Sequence, residues 1–336
     1  MMRRLVLLAI VLFPLAEARA QQDIGARRVV IVSCDGLRPD AITTEDAPVM
    51  RQLIATGSYQ ATCLNEMPPL TLPNHTSMLT GLSVSHHGVL ANTELPGRVV
   101  ETTIFDVARA AGLRVGFFVG KQKLAYLCPE GSAEAWVVDG DLDVLTATVV
   151  AAIENADLRL IFVHFGSTDA AGHNHGWMSD EYMAEVARID AAIGQIVDAV
   201  ERAGMAEETV ILISADHGGH CQQHFLDIPE DRFIPLIMHG PGIAAGRGLC
   251  EQTRIMDIAA TALNVLGLPT ESAADGAPVT EALAESEQSS CSAPQVSFTG
   301  LCAPLPLCGT GVSPVLALGL MISPALWWRR RWRLRA

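Results

Sequence analysis

Asp35-Gly36 follows the apolar run "VVIVSC" (29–34), "GSTDAAGH" follows "LRLIFVHF" (158–165), and "ADHGGHCQQH" follows "TVILIS" (209–214). These junctions carry Asp35, Asp169, His173, Asp216, His217 and His224. Each type alone has an ordinary use, since an aspartate at a strand end caps a helix and a loop histidine is solvated. Together, three carboxylates and three imidazoles form a donor set for two divalent cations. Such mixed oxygen and nitrogen shells favour zinc over manganese or iron. Asp169 and His173 are four apart in a stretch read as a loop through Gly172. Adjacent Asp216 and His217 need a bent backbone, which Gly218-Gly219 would permit. His220 is the alternative to His224.

Two cations ~4 Å apart clamp a phosphoryl group, one activating the nucleophile and the other the leaving group or water. That chemistry calls for a hydroxyl, and "PPLTLPNHTSMLTG" (68–81) offers one. Thr71 lies just before Pro73, proline is favoured in a helix's first turn, and "NHTSMLTG" can continue the helix. The positive end of the helix dipole and its free N–H groups favour an alkoxide and a bound phosphate. The plain alternative is an N-capping threonine.

These residues need a scaffold. Further apolar runs are "VGFFVG" (115–120) and "IPLIMH" (234–239). Helical patterns lie between the runs, among them "APVMRQLIATG", "DLDVLTATVVAAIENA" and "DEYMAEVARIDAAIGQIVDAVERAG". Strands alternating with helices predict a three-layer α/β/α sandwich with a mostly parallel central sheet. Ligands in such sheets sit beyond the carboxyl ends of the strands, where the aspartates and histidines fall.

The ends read as addresses. Residues 1–20 have the layout of a secretory leader, with an uncleaved anchor as the alternative. Residues 21–272 form the catalytic domain and 273–308 a polar linker. Residues 309–328 are an apolar segment just long enough to span a bilayer, or a sorting tail removed after export, and 329–336 a basic cytoplasmic end. The chain is therefore expected to be exported and held at a membrane through its C-terminal segment, or released by processing. Without residues 1–20 and 329–336 the chain carries 15 basic against 36 acidic residues, a net of −21. Such a body repels nucleic acid duplexes and tolerates divalent cations. Five body cysteines are an odd number, so at least one is free or pairs with the linker.

The motifs "SCDGLRPD", "LTLPNHTSMLTG", "SHHGVLAN", "STDAAGHNHG", "SADHGGHCQQH" and "MHGPG" resemble the type I phosphodiesterase/nucleotide pyrophosphatase family of the alkaline phosphatase superfamily. The resemblance implies an alkaline-phosphatase-like fold and a two-zinc hydrolase of phosphodiester or pyrophosphate bonds. It implies Thr71 as covalent nucleophile, forming a phosphothreonine. Asp35, Asp216 and His217 then hold the zinc that also meets the Thr71 oxygen, and Asp169, His173 and His224 hold the other. Asn92 donates to a phosphate oxygen. The implied partner is a small phosphorylated substrate such as a nucleotide. Phosphomonoesterases and phosphonate (phosphonoacetate-type) hydrolases of the superfamily are alternatives. Sulfatases need a C-x-P-x-R setting, which this sequence lacks. A non-catalytic zinc-binding surface module is the rival from another class.

Overall fold

In a computed structural model, the described residues are 26–93, 96–270, 274–286 and 291. The expected leader, apolar span and basic end lie outside them. Among the described residues no helix is long and apolar enough to cross a membrane.

Apolar text yields strands buried at every residue: β1 (Arg28–Cys34), β3 (Val115–Val119), β5 (Leu160–Phe165) and β6 (Thr209–Ser214). With β2 (Ser58–Leu64), β4 (Ala135–Val138), β7 (Phe233–His239) and the short β8 (Arg247–Gly248), they form one sheet in the order β4-β3-β5-β1-β6-β7-β2-β8. β4 through β6 run parallel, while β7 is antiparallel to both β6 and β2. The helices are α1 (Pro48–Thr56), α2 (Thr71–Thr80), α3 (Val84–His87), α4 (Ile104–Ala110), α5 (Leu142–Asn155), α6 (Ser167–His175), α7 (Asp180–Arg202), α8 (Pro229–Arg232) and α9 (Asp257–Val265). Local chemistry starts several of them. Asp141 accepts the Asp143 and Val144 N–H groups before α5, and Thr103 and Asp106 form a capping box on α4. α1, α5 and α6 pack around α7, and α2, α3, α4 and α9 pack together, giving the outer layers of an α/β/α sandwich.

The core reaches the site directly. Phe117 stacks on Phe162 at 5.8 Å, and Phe162 meets the edge of His75 at 6.1 Å. His75 lies in α2, whose ten residues are all buried.

The chain stays packed past residue 272, where the linker was expected to begin. Asp275 accepts hydrogen bonds from Ser83 N and His86 Nδ1, and Glu281 accepts from Cys250 N and Glu251 N. A Cys250–Cys291 disulfide joins the body to the polar stretch. Polar composition misleads here because the carboxylates bind backbone N–H groups of the domain rather than water. Cys34, Cys63 and Cys128 are buried thiols.

Candidate active site

β5, β1 and β6 are neighbours in the sheet, with Cys34 opposite Phe165 and Ser33 opposite Ser214. Asp35, Asp169 and Asp216 therefore leave three adjacent strands at one edge. Donors hold one oxygen of each carboxylate. Asp35 Oδ2 accepts from His164 Nε2 at 2.9 Å and lies 2.7 Å from Lys121 Nζ. Asp169 Oδ2 accepts from Lys121 Nζ at 2.6 Å. Asp216 Oδ1 accepts from Gly36 N at 3.1 Å and His217 N at 3.0 Å. The other oxygens, Asp35 Oδ1, Asp169 Oδ1 and Asp216 Oδ2, are buried without a hydrogen-bond partner, as is His217 Nε2. These four atoms converge: His217 Nε2 lies 3.4 Å from Asp35 Oδ1, 3.3 Å from Asp216 Oδ2 and 4.0 Å from Asp169 Oδ1. Leaving a buried polar atom unpaired costs ~1–3 kcal/mol, more when charged. A shared cation would satisfy all four at once.

The histidines fit the same reading. Nδ1 of His173, His217 and His224 each donates to a carbonyl, of Gln222 (3.0 Å), Gly218 (2.8 Å) and Pro69 (2.7 Å) respectively. That fixes Nε2 as the lone-pair nitrogen, the usual second shell of a metal-binding imidazole. His173 Nε2 and His224 Nε2 lie 3.3 and 3.6 Å from Asp169 Oδ1, so these three residues form one triad. Asp35, Asp169 and His217 form a second group, which places Asp169 in both. Asp216 joins this side through His217. His220 is engaged elsewhere, with Nδ1 on Asp231 Oδ1 at 2.7 Å and Nε2 on Gln223 Nε2 at 3.0 Å.

Two local expectations are corrected. Asp169 and His173 do not lie in a loop but one turn apart on α6. Gly218 and Gly219 do not supply a left-handed bend. They supply room, since a Cβ on Gly218 would meet Glu230 O at 2.0 Å and one on Gly219 the Trp177 ring at 2.1 Å.

Thr71 is the first residue of α2 and is buried. Leu70 holds the N-cap position, so Thr71 is not the cap of its own helix. Asn92 Oδ1 accepts from Leu72 N at 2.7 Å, which leaves its NH₂ group free of that bond. His75 links the helix to the cluster: Nδ1 donates to Thr71 O at 2.8 Å and lies 3.6 Å from Asp216 Oδ2. His224, through Pro69 O, ties the strand of chain before Thr71 to the other triad.

Lys121 escaped the sequence reading, which weighed only acids and imidazoles. It follows the glycine that ends "VGFFVG", at the carboxyl end of β3. Burial opposes ionisation of Asp35, but the Lys121 charge and the His164 hydrogen bond outweigh it and hold the carboxyl well below the usual range. Asp216 lacks such a partner, and burial followed by the Asp35 charge pushes it up. Burial and the neighbouring His217 push His224 down to about 4, which keeps its imidazole neutral. The hydrogen bond to Asp169 raises His173.

The sandwich and the strand-end cluster define an alkaline-phosphatase-like protein. The family model for type I phosphodiesterase/nucleotide pyrophosphatase matches residues 29–226, and the chain belongs to that family. It is 26% identical to human ectonucleotide pyrophosphatase/phosphodiesterase family member 7 over 239 residues, covering 63% of this chain and 52% of that protein. It is 24% identical to a Pongo abelii bis(5′-adenosyl)-triphosphatase over 235 residues, covering 62% and 50%. The chain thus spans about half the length of the curated relatives it matches. Murine ectonucleotide pyrophosphatase/phosphodiesterase 5, solved as an inactive threonine-to-alanine variant in complex with AMP, shares the fold with a TM-score of 0.66 at 15% identity, covering 76% of this chain and 100% of that one.

Proposed function

We propose that the protein is an exported hydrolase of phosphodiester or pyrophosphate bonds in small phosphorylated substrates, nucleotides among them, with Thr71 as nucleophile. The observation that carries this reading is the convergence of four unpaired buried atoms, on Asp35, Asp169, Asp216 and His217, next to the helix that Thr71 opens. The donor set fits two divalent cations, zinc before others. Asp35, Asp216 and His217 would hold one together with Thr71, and Asp169, His173 and His224 the other. When bound, the pair supplies positive charge that lowers the pKa of a hydroxyl or water and stabilises a departing oxygen.

The chain's own residues do the rest. The Thr71 oxygen attacks phosphorus in line, its bond to phosphorus forms, and the bond to the leaving oxygen breaks. Water then attacks the phosphothreonine from the opposite side and returns the Thr71 hydroxyl. The Asn92 NH₂ group, aimed by the Leu72 N–H on its own Oδ1, donates to a non-bridging oxygen, as do free N–H groups of the first turn of α2. His164 and Lys121 hold Asp35 in orientation. The leader-like residues 1–20 support export, and the AMP complex of the structural relative supports a nucleotide.

Hydrolysis of bis-p-nitrophenyl phosphate with zinc, compared between wild type and Thr71→Ala, tests this reading. The variant should lose at least a thousandfold in kcat while binding zinc as before. Equal inactivity of both proteins with zinc still bound would instead favour a non-catalytic zinc module.

A further inference from the structure

A cleft of about 290 Å³ opens over the 3-10 turn Gln122–Tyr126, immediately after Lys121. Three residues per turn put Lys123 and Tyr126 on one face of this turn, and both line the cleft. Leu124 and Leu127 take another face and are buried in the core. Trp136 of β4 forms a further wall, and its Nε1 donates to Cys128 O at 2.7 Å, which fixes the indole. Val99 N donates to Tyr126 O at 2.9 Å, holding the segment that brings Gly97 to the rim. The turn packs against α2, and the charges of Asp35, Asp169 and Asp216 act on Lys123. The cleft is therefore a neighbour of the candidate active site, within electrostatic reach of its carboxylates.

Lys123 is half-buried and makes no ion pair among the described residues, in a body of strongly negative net charge. Lys121, two residues earlier, spends its charge on Asp35 and Asp169. The cleft thus offers one uncommitted ammonium between two half-buried aromatic rings. A neutral alkyl or aryl ester would use the rings and leave the ammonium without a partner. A second phosphate carrying a nucleoside would use both, because a base stacks on aromatic faces and a phosphate pairs with an ammonium.

We propose that this cleft is the subsite for the part of the substrate beyond the reacting phosphoryl group, and that it selects pyrophosphate-linked nucleotides over neutral diesters. Lys123 takes the adjoining phosphate, and Tyr126 and Trp136 take the base. This assignment rests on the hydrolase reading above and deepens it.

The test uses the zinc-loaded full chain and two substrates, bis(5′-adenosyl) triphosphate and bis-p-nitrophenyl phosphate. Lys123→Gln and Tyr126→Leu should each raise KM for the first at least tenfold and leave kcat/KM for the second within twofold. A second readout needs no turnover: ADP binding to the Thr71→Ala protein by calorimetry, repeated with Lys123→Gln added, should weaken at least tenfold. Equal effects on both substrates, or no effect on either, would overturn the subsite. If the wild type cleaves neither substrate, the hydrolase reading fails, and the ADP titration still decides the cleft: an unchanged Kd overturns it. Thermal melting of each variant distinguishes a lost contact from a lost fold.

Discussion

Lys121 Nζ sits 2.6 Å from Asp169 Oδ2, while Asp169 Oδ1 faces His173, His217 and His224 with no hydrogen bond of its own. One aspartate thus divides its two oxygens between a lysine and the candidate metal centre. Lys121 also lies 2.7 Å from Asp35 Oδ2, so a single ammonium offsets two buried carboxylates. Burial opposes that charge, but Asp35 and Asp169 outweigh it and raise the lysine above its ordinary pKa. In the metal-free protein, Lys121→Met removes the only cation that these items of charge share, so repulsion among Asp35, Asp169 and Asp216 should lower the melting temperature. Zinc would then meet the same carboxylates without a competing ammonium. The zinc-induced rise in melting temperature should be larger in Lys121→Met than in wild type. Scanning calorimetry with and without zinc checks both signs, and a smaller rise in the variant would contradict this account.

His164 makes a second claim on Asp35. Its Nδ1 accepts from Gly120 N at 3.3 Å, so Nε2 carries the proton and donates to Asp35 Oδ2 at 2.9 Å. It orients the carboxylate without reaching the convergent atoms. Loss of such a supporting partner typically weakens metal affinity ~10–100-fold. His164→Ala should do so in a competitive zinc titration, whereas His220→Ala, whose ring braces Asp231 and Gln223, should leave zinc affinity close to wild type.

The five apolar runs were legible because a strand covered on both faces must be apolar throughout, and all five are strands. β2 was not, since "SYQATCL" alternates polar with apolar residues. Its Gln60 is nonetheless buried, with Nε2 donating to Glu251 O and Oδ-type carbonyl oxygen accepting from Thr253 N, so the polar side chains are satisfied inside. The Asp and His positions could be picked out because strand ends collect ligands whatever the strand order. Lys121 could not. Its approach to Asp35 and Asp169 depends on β3 lying beside β5 and β5 beside β1, and that order is a property of the packed sheet. His220 and His224 were inseparable by spacing, and Asp231, eleven residues beyond His220, is what sets their rings apart.

Gly219 carries a third prediction. The Trp177 ring occupies the place its Cβ would need, and Trp177 Nε1 is anchored on Gly36 O at 2.8 Å, next to Asp35. The indole cannot retreat without disturbing the turn that follows β1. Gly219→Ala should therefore destabilise the fold by several times the ~1 kcal/mol typical of a point substitution and should weaken zinc binding with it. Gly204→Ala is the control for backbone change away from the site, because nothing lies within 4 Å of a Cβ there, although its positive φ adds modest strain. Urea unfolding and zinc titration of both variants would show the difference. Equal losses would remove the packing argument.

The acid limb of stability gives the last prediction. His87 is buried, accepts from Val89 N at 3.1 Å through Nδ1 and shares a 2.9 Å hydrogen bond with Ser77 through Nε2. Burial pushes its pKa down from 6.5 to about 4. On acidification the unfolded chain takes up this proton first, so stability from neutral His87 is fully present above about pH 6.5 and is lost as pH falls towards 4. Each pKa unit corresponds to ~1.4 kcal/mol. His75, pushed down to about 4 by burial as well, acts in the same direction over the same window. His87→Gln keeps a donor for Ser77 but cannot take up a proton. Its unfolding free energy, from urea titrations of the metal-free protein at a series of pH values, should fall less steeply between pH 6.5 and 4 than that of wild type. Parallel curves would mean that His87 is already protonated in the folded state.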